Sequence, residues 1–317
     1  MTYAIGDIHG EVTLLRRLLA ILPFREEDTL VFLGDCLDRG EDSIKFAHIC
    51  HLRYITIRAL HRPSFICMLK NCLKVDIRVF HHMRVAILSD IHGNQVALAA
   101  VLRDLERQPK IDQLVVAGDL CLNGPRPRQA LDAVRELQCP VIMGNTDNDI
   151  VTGNPAKESK KKIVDWTREQ IKSKGIDYLA SLPFSHLIPN PEGSDLLVVH
   201  ANPHNLKDHI YPDAPDSDLE QFLGELEPTV GALAFGHYHV AYTRRWRNLL
   251  LVDVGSCGLP RDKDLRAAYA ILTWQDNAWL AEHCRVEYDV KVVVKQMETS
   301  GMPRAKKYIK TLTEATY

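Results

Sequence analysis

The sequence predicts an α/β fold with mixed sheets, and two patterns carry this prediction. Early in the chain, short apolar segments alternate with amphipathic helices, which is typical of parallel βαβ units. Later, the apolar segments follow one another across short turns, which is typical of antiparallel strands. Hydrophobic residues make up 46% and charged residues 25% of the 317 residues, so the chain can build a large core.

The first half of the chain contains an internal repeat. Residues 3–10, Tyr-Ala-Ile-Gly-Asp-Ile-His-Gly, resemble residues 86–93, Ala-Ile-Leu-Ser-Asp-Ile-His-Gly. Each copy is a short predicted strand that ends in Asp-x-His-Gly. An amphipathic helix follows, over residues 12–22 or 95–105, and then an apolar strand that ends in Gly-Asp. The chain therefore starts the same βαβ unit twice, and only the second copy continues.

Three regions follow from this repeat. We expect a truncated βαβ fragment over residues 1–45, an irregular connector over 46–82 and a complete domain over 83–317. The connector is rich in basic residues and histidine and has poor periodicity. The sequence from Met83 onwards resembles the start of an independent protein. A gene fusion and an error in the predicted gene are therefore both open as origins of the first part.

The second copy predicts its remaining elements in order. Its first helix, over 95–105, precedes a helix near 128–137, a strand at 140–144 and a basic helix over 158–174. Mostly antiparallel strands follow, at 196–200, 232–237, 242–246, 249–254, 268–273 and 278–287. A helical tail then extends from about 290 to 313. We expect these elements to form one α/β sandwich.

Composition excludes several classes of protein. The net charge of -2 gives no global attraction for nucleic acid or an anionic membrane. No apolar run approaches the ~20 residues of a membrane helix, and the N-terminus has no signal peptide pattern. The eight cysteines form no Cys-x-x-Cys pair. We expect a cytoplasmic protein with reduced thiols that acts on small molecules; the sequence does not indicate its oligomeric state.

Metal-binding side chains follow five of the predicted strands. Because sites in open α/β sheets form at the carboxyl ends of strands, we expect these side chains to meet. Imidazole, amide and carboxylate ligands favour Mn²⁺, Fe²⁺, Zn²⁺ or Ni²⁺ over Ca²⁺. One carboxylate can bind two ions, and Asp119 is the natural bridge. The set comprises Asp90, His92, Asp119, Asn145, His200, His237 and His239.

In order along the chain, these motifs resemble those of the calcineurin-like metallophosphoesterases. The resemblance covers nearly all of residues 84–260 and implies a four-layer α/β/β/α sandwich. Within that superfamily, three motifs resemble small bacterial phosphodiesterases and dinucleoside-polyphosphatase-like members: Gly-Pro after Gly-Asp, Gly-Asn-Thr-Asp at 144–147, and residues 255–261. The resemblance assigns Asp119 as the bridge between two ions, one held by Asp90, His92 and His239 and the other by Asn145, His200 and His237.

The activity implied by this resemblance is hydrolysis of a phosphodiester, phosphoanhydride or activated phosphomonoester bond by hydroxide that two divalent ions activate. Mn²⁺ is the expected ion, with iron, zinc and nickel as alternatives, and the substrate is a small phosphorylated molecule such as a nucleotide. Asp119, Asn145 and His200 take catalytic roles. The alternative is a non-catalytic metal-binding scaffold, as in the retromer subunit of the same fold, but the complete ligand set favours catalysis.

One residue expected to contact the substrate differs from the family pattern. Many members have histidine directly after the asparagine as an acid or phosphate ligand, whereas this chain has Thr146. A hydroxyl cannot replace an imidazolium as a proton donor near neutral pH. His204 is a candidate for that role, and Arg261 is a candidate phosphate ligand.

The N-terminal copy resembles another branch of the superfamily. Residues 6–10 and 34–40 are similar to the opening of serine/threonine phosphoprotein phosphatases and symmetrical diadenosine tetraphosphatases, in which Arg39 would bind phosphate. No Gly-Asn-His follows before residue 83. We therefore expect a vestigial or structural role for the possible ligands of this copy, Asp7, His9 and Asp35.

Overall fold

The computed structural model describes residues 2–5, 29–33, 55–58, 83–155, 157–190 and 193–316. The chain divides into two compact units, Met1–His82 and Met83–Tyr317. Among the described residues, no helix is both long enough and apolar enough to cross a membrane.

The described part of the N-terminal unit is a parallel sheet of three strands in the order β1-β2-β3. These are β1 (Thr2–Ile5), β2 (Thr29–Leu33) and β3 (Ile55–Arg58). The first two confirm the strands of the repeat. The third lies inside the segment predicted to be irregular, where the β-branched run Ile-Thr-Ile favours a strand. The helix predicted at 12–22 and the residues Asp7, His9, Asp35 and Arg39 lie outside the described residues.

The C-terminal unit contains two mixed sheets. Its strands are β4 (Met83–Leu88), β5 (Gln113–Val116), β6 (Ser185–Ile188), β7 (Asp195–Val199), β8 (Val230–Phe235), β9 (Tyr242–Trp246), β10 (Leu249–Asp253), β11 (Ala267–Gln275) and β12 (Ala278–Val286). One sheet has the order β12-β11-β4-β5, and β4 and β5 are parallel. The other has the order β6-β7-β8-β10-β9, with β7, β8 and β10 parallel and an antiparallel strand at each edge.

The helices of this unit begin and end where the local sequence supplies a cap. Asn94 accepts a hydrogen bond from the Ala97 N–H at the start of the first helix, and Pro127 opens the second. Gly153 ends the third with φ 65°. The helices are α1 (Gln95–Leu105), α2 (Pro127–Glu136), α3 (Asn145–Thr152), α4 (Lys161–Ala180), α5 (Asp216–Leu223), α6 (Val290–Thr299) and α7 (Ala305–Glu314).

Three apolar cores arrange these elements in four layers. The two sheets face each other through residues such as Ile87 and Val198. The other face of the first sheet packs on α1, α2, α4, α6 and α7, with Leu88 and Leu98 in that core. The outer face of the second sheet packs on α5 through Leu219. This arrangement confirms the α/β/β/α sandwich.

The sequence located most elements of the C-terminal unit. It did not predict α3, α5 or β6. The strand predicted at 140–144 is a single parallel bridge between Val116 and Val141. Pro140 has no N–H to donate, which limits the ladder at this edge of the sheet. The basic helix extends to Ala180, beyond its predicted end at residue 174.

Candidate metal centre

Among the seven predicted ligands, Asn145 begins α3 after the isolated bridge at Val141. The other six lie at the carboxyl ends of four parallel strands, where the two sheets meet. They follow β4 and β5 in one sheet and β7 and β8 in the other. Five of them have a left-handed backbone, which non-glycine residues adopt at a cost and which concentrates at functional sites. Their φ values are 55° for Asp90, 49° for His92, 57° for Asp119, 68° for His237 and 63° for His239.

Two glycines allow the loops at these strand ends to approach the carboxylates. A Cβ atom on Gly144 would lie 2.2 Å from Asp119 Oδ1 and 2.3 Å from Asp119 N. A Cβ atom on Gly236 would lie 2.4 Å from Asp90 Oδ2. These contacts explain why the Gly-Asn and Gly-His pairs begin with glycine, because any side chain would displace a ligand carboxylate.

Three buried histidines are oriented by backbone carbonyls. Each carries its proton on Nδ1, because that nitrogen donates to a carbonyl, and each therefore presents the Nε2 lone pair to the site. The distances are 2.9 Å from His92 to Leu122 O, 2.8 Å from His200 to Ala117 O and 2.6 Å from His239 to Leu259 O.

The first ligand group consists of Asp90, His92 and His239. The Nε2 atoms of the two histidines are 3.1 Å apart, and His239 Nε2 lies 3.1 Å from Asp90 Oδ1. Two lone pairs that face each other at this distance repel unless a cation lies near both. Asp90 Oδ1 is buried and accepts no hydrogen bond from the described residues. This group therefore fits a divalent cation.

The second ligand group consists of Asp90, Asp119 and His200. His200 Nε2 lies 3.5 Å from Asp119 Oδ1 and 3.1 Å from Asn145 Oδ1. The other oxygen of Asp119, Oδ2, lies 3.7 Å from His92 Nε2 in the first group. The two oxygens of Asp119 thus face histidines of different groups. Asp90 also belongs to both, which the sequence did not predict.

His237 lies beside the second group, and the roles of its two ring nitrogens are the reverse of those in the other three histidines. Its Nε2 donates to Lys207 O at 2.8 Å, which leaves Nδ1 as the atom that can bind a metal. Its ring centroid lies 5.1 Å from that of His200. Its backbone N–H donates to Asp90 Oδ2 at 2.8 Å, so the His237 loop also positions a carboxylate of the first group.

The protonation states suit metal binding. Burial and the neighbouring imidazole of His239 hold the pKa of His92 well below its usual range, and burial and His200 lower the pKa of His237 to about 3. Burial acts to raise the pKa of Asp90, but the surrounding histidines outweigh it and hold that pKa well below its usual range. His92 and His237 thus offer neutral imidazoles near pH 7, and Asp90 offers an ionised carboxylate.

Asp147 supports the site, although no sequence motif indicates this role. Its carboxylate accepts backbone hydrogen bonds from Asp119 at 2.7 Å, Leu120 at 3.0 Å and Gly144 at 3.0 Å. Burial and the charge of Asp119 raise its pKa to about 7. Asp147 ties the loop after β5 to the start of α3. Its position two residues after Asn145, within the first turn of α3, is the signal that could have revealed it.

A cavity of about 480 Å³ opens onto the ligands. Two of the predicted substrate-binding residues, Thr146 and Arg261, line it. His204 is exposed and does not line it; His209 lies there, with its ring stacked on His237 at 4.3 Å between centroids. No sequence signal separates His209 from His204, because both follow β7 in the same irregular loop. Four lysines complete the wall: Lys157, Lys160, Lys207 and Lys307.

Comparison with known proteins agrees with this geometry. The chain is 30% identical over 240 residues to an uncharacterised protein from Methanocaldococcus jannaschii, over 69% of this chain and 93% of that protein. It is 30% identical over 109 residues to a symmetrical bis(5'-nucleosyl)-tetraphosphatase from Pectobacterium atrosepticum, over 28% of this chain and 37% of that enzyme. The crystal structure of a metallophosphoesterase from Sphaerobacter thermophilus is similar with a TM-score of 0.61 and 26% identity, over 74% of this chain and 99% of that one.

The residues that match a known family lie in the C-terminal unit, which contains the predicted ligands. The calcineurin-like phosphoesterase superfamily domain matches residues 83–277, which is more than half of the chain. This range includes every predicted ligand from Asp90 to His239 and ends before α6. The chain belongs to the calcineurin-like phosphoesterase superfamily.

Proposed function

We propose that this phosphoric ester hydrolase cleaves phosphodiester, phosphoanhydride or activated phosphomonoester bonds in small molecules, with two divalent metal ions. The observation that supports two ions is the position of Asp119, whose two oxygens face different histidines, His92 and His200. One ion would be held by Asp90, His92 and His239. The other would be held by Asn145, His200 and His237, with Asp119 shared.

The ions, when bound, would draw charge from a phosphate oxygen and lower the pKa of a water molecule. The chain itself holds the ligand atoms in place before any ion arrives. The Thr146 N–H donates to Asp119 Oδ1 at 2.8 Å and fixes that carboxylate, as Asp147 fixes the loop around it. Such preorganisation lowers the cost of reaching the bound geometry.

Two residues at the cavity wall would meet the substrate. Arg261 places a permanent positive charge beside the ligands, where it can stabilise charge on phosphate oxygens. Thr146 offers only a hydroxyl, which does not protonate a leaving group near neutral pH. The proposed substrates are therefore those whose leaving groups depart as stable anions, such as phosphoanhydrides and aryl esters.

The metal and the compartment belong to the same proposal. The ligands combine imidazole nitrogen with carboxylate and amide oxygen, which suits Mn²⁺ and also iron, zinc and nickel. The described cysteines, Cys121, Cys139, Cys257 and Cys284, are all free thiols. Free thiols support a reducing compartment, and we propose the cytoplasm.

The test measures hydrolysis by the full chain with Mn²⁺, Fe²⁺, Zn²⁺ or Ni²⁺. The substrates are p-nitrophenyl phosphate, bis-p-nitrophenyl phosphate and a dinucleoside polyphosphate. Asp119→Asn should abolish turnover and leave the protein folded, because a neutral amide cannot bridge two cations. The matched control is Asp218→Asn, an exposed acidic residue on α5. Metal binding without hydrolysis of any of these substrates would instead support a non-catalytic scaffold.

A further inference from the structure

The cavity has a cationic wall that the metal centre does not use. Four lysines line it from separate segments: Lys157 and Lys160 come from the turn before α4, Lys207 comes from the loop after β7, and Lys307 comes from α7. Among the described lining residues, the one carboxylate is Asp119, which faces the ligand histidines. The wall beyond the metal ligands therefore carries only positive charge.

These lysines differ from their neighbours in lacking a carboxylate partner among the described residues. Lys161 pairs with Asp165 on α4, and Lys310 lies 4.0 Å from Glu314 on α7. The cavity lysines form no such pair with described residues. Burial, and then the nearby cations beginning with Arg304, lower the pKa of Lys307. Like charges around one cavity repel, and an anion bound between them removes the repulsion.

The helix that carries Lys307 is fixed against the rest of the cavity. At its start, Arg304 Nη1 donates to Ser159 O at 3.1 Å, which joins α7 to the turn before α4. At its end, the Lys263 N–H donates to Ala315 O at 2.9 Å. The helix lies beyond residue 277, where the superfamily match ends. Its contacts hold Lys307 on the same wall as the other lysines.

We propose that these four lysines form a second phosphate subsite, so that the substrate carries at least one phosphate beyond the phosphate that is attacked. This inference rests on the proposed function for the position of the attacked phosphate. The chemical class is a phosphoanhydride chain, either inorganic or attached to a nucleoside.

Three observations favour a small polyphosphate over a nucleic acid. The volume of about 480 Å³ is that of a small-molecule site. The described lining residues include no tryptophan, tyrosine or phenylalanine on which successive bases could stack. The net charge of -2 gives the chain no overall electrostatic attraction for a long polyanion.

The experiment compares two double variants of the full chain with a divalent ion present. Lys160→Gln with Lys307→Gln removes two charges from the cavity wall. Lys162→Gln with Lys306→Gln removes two exposed charges that do not line it and serves as the matched control. Each protein is assayed for kcat/KM with inorganic tripolyphosphate and with bis-p-nitrophenyl phosphate. Binding of tripolyphosphate and of orthophosphate is measured by calorimetry.

The cavity variant should lower the kcat/KM ratio of tripolyphosphate to diester about tenfold, since each exposed charge pair contributes a few-fold. Its tripolyphosphate affinity should fall similarly, and the control should match the wild type. Lys207→Gln, on an independent loop, should change the ratio in the same direction. Adenosine triphosphate and tripolyphosphate as parallel ligands show whether the chain is nucleoside-linked or inorganic.

Several outcomes would overturn the subsite. These are an equal loss for both substrates, equal effects of the two double variants, or a wild type that binds tripolyphosphate no more tightly than orthophosphate. A short single-stranded oligonucleotide that binds more tightly than tripolyphosphate would also overturn it. Lysine-dependent tripolyphosphate binding without hydrolysis of any substrate would support the subsite and contradict the proposed function, so the two failures are distinguishable.

Discussion

Replacing Gly144 by alanine perturbs the Asp119 carboxylate without removing any candidate ligand. Gly144 has φ -97° and ψ 170°, a conformation open to any residue, so the substitution causes no backbone strain. The new Cβ atom would instead lie 2.2 Å from Asp119 Oδ1 and 2.3 Å from Asp119 N. Both distances are far below contact, so the loop after β5 or the start of α3 must move.

This overlap should lower the free energy of unfolding. Overpacking of a buried site lowers the free energy of unfolding by about 1–3 kcal/mol. We expect Gly144→Ala to lie in this range and to lose metal affinity as well, because relief of the overlap displaces Asp119. The matched control is Gly153→Ala at the other end of α3, where φ is 65° and the nearest atom is 3.5 Å away. That variant should cost about 1 kcal/mol through backbone strain alone and keep its metals.

The assay is urea unfolding followed by tryptophan fluorescence, together with metal analysis. All four tryptophans lie between residues 166 and 279, so the signal reports on the C-terminal unit. A Gly144→Ala protein with wild-type metal content and activity would refute the argument that close approach of this glycine positions Asp119. So would a Gly153→Ala protein that loses its metals to the same extent.

Three further predictions concern the substrate, the pH and the N-terminal unit. Thr146→His should improve hydrolysis of alkyl phosphates selectively over p-nitrophenyl esters; a wild type that cleaves both at similar rates has another acid, and His209 is the first to replace. Burial lowers the pKa of His200, but the charges of Asp119 and Asp90 outweigh burial and raise that pKa. Metal binding near pH 7 should therefore release a proton, and metal affinity should fall as the pH falls. Calorimetric titrations in buffers of different ionisation enthalpy test this, and heats of binding that do not depend on the buffer would contradict it. A chain that begins at Met83 should fold, bind metal and keep kcat/KM within a few-fold, and a dead or insoluble product would show that residues 1–82 complete the domain.

The candidate ligands could be located from the sequence because their signal is local. An apolar strand that ends in Asp-x-His or Gly-Asp identifies both the element and the chemistry, as at Asp90 and Asp119. Parallel strands then bring their carboxyl ends together, so a list of strand-end residues already approximates the site. The antiparallel pairs β9–β10 and β11–β12 follow equally from the sequence, since only two residues separate the strands of each pair.

The features of the cavity and fold that the sequence did not indicate depend on tertiary contacts. Nothing near Lys307 in the sequence indicates that α7 returns to the cavity, because its docking depends on Arg304 and on the distant Ser159 O. His209 lines the cavity and His204 does not, although both belong to one irregular loop. The helix α3 was missed because its residues 145–152 have little apolar periodicity, and the carboxylate of Asp147 bonds to the backbone of the loop beside it.

The number of metal ions bound per chain tests the central claim most directly. Protein reconstituted with Mn²⁺ and freed of excess ion should contain two ions per chain and give the electron paramagnetic resonance signal of a coupled pair, because Asp119 faces both ligand groups. His239→Ala should lose the ion of the first group preferentially and convert the signal to that of an isolated ion. A wild type that saturates with a single uncoupled ion, or with none, would contradict the two-metal account.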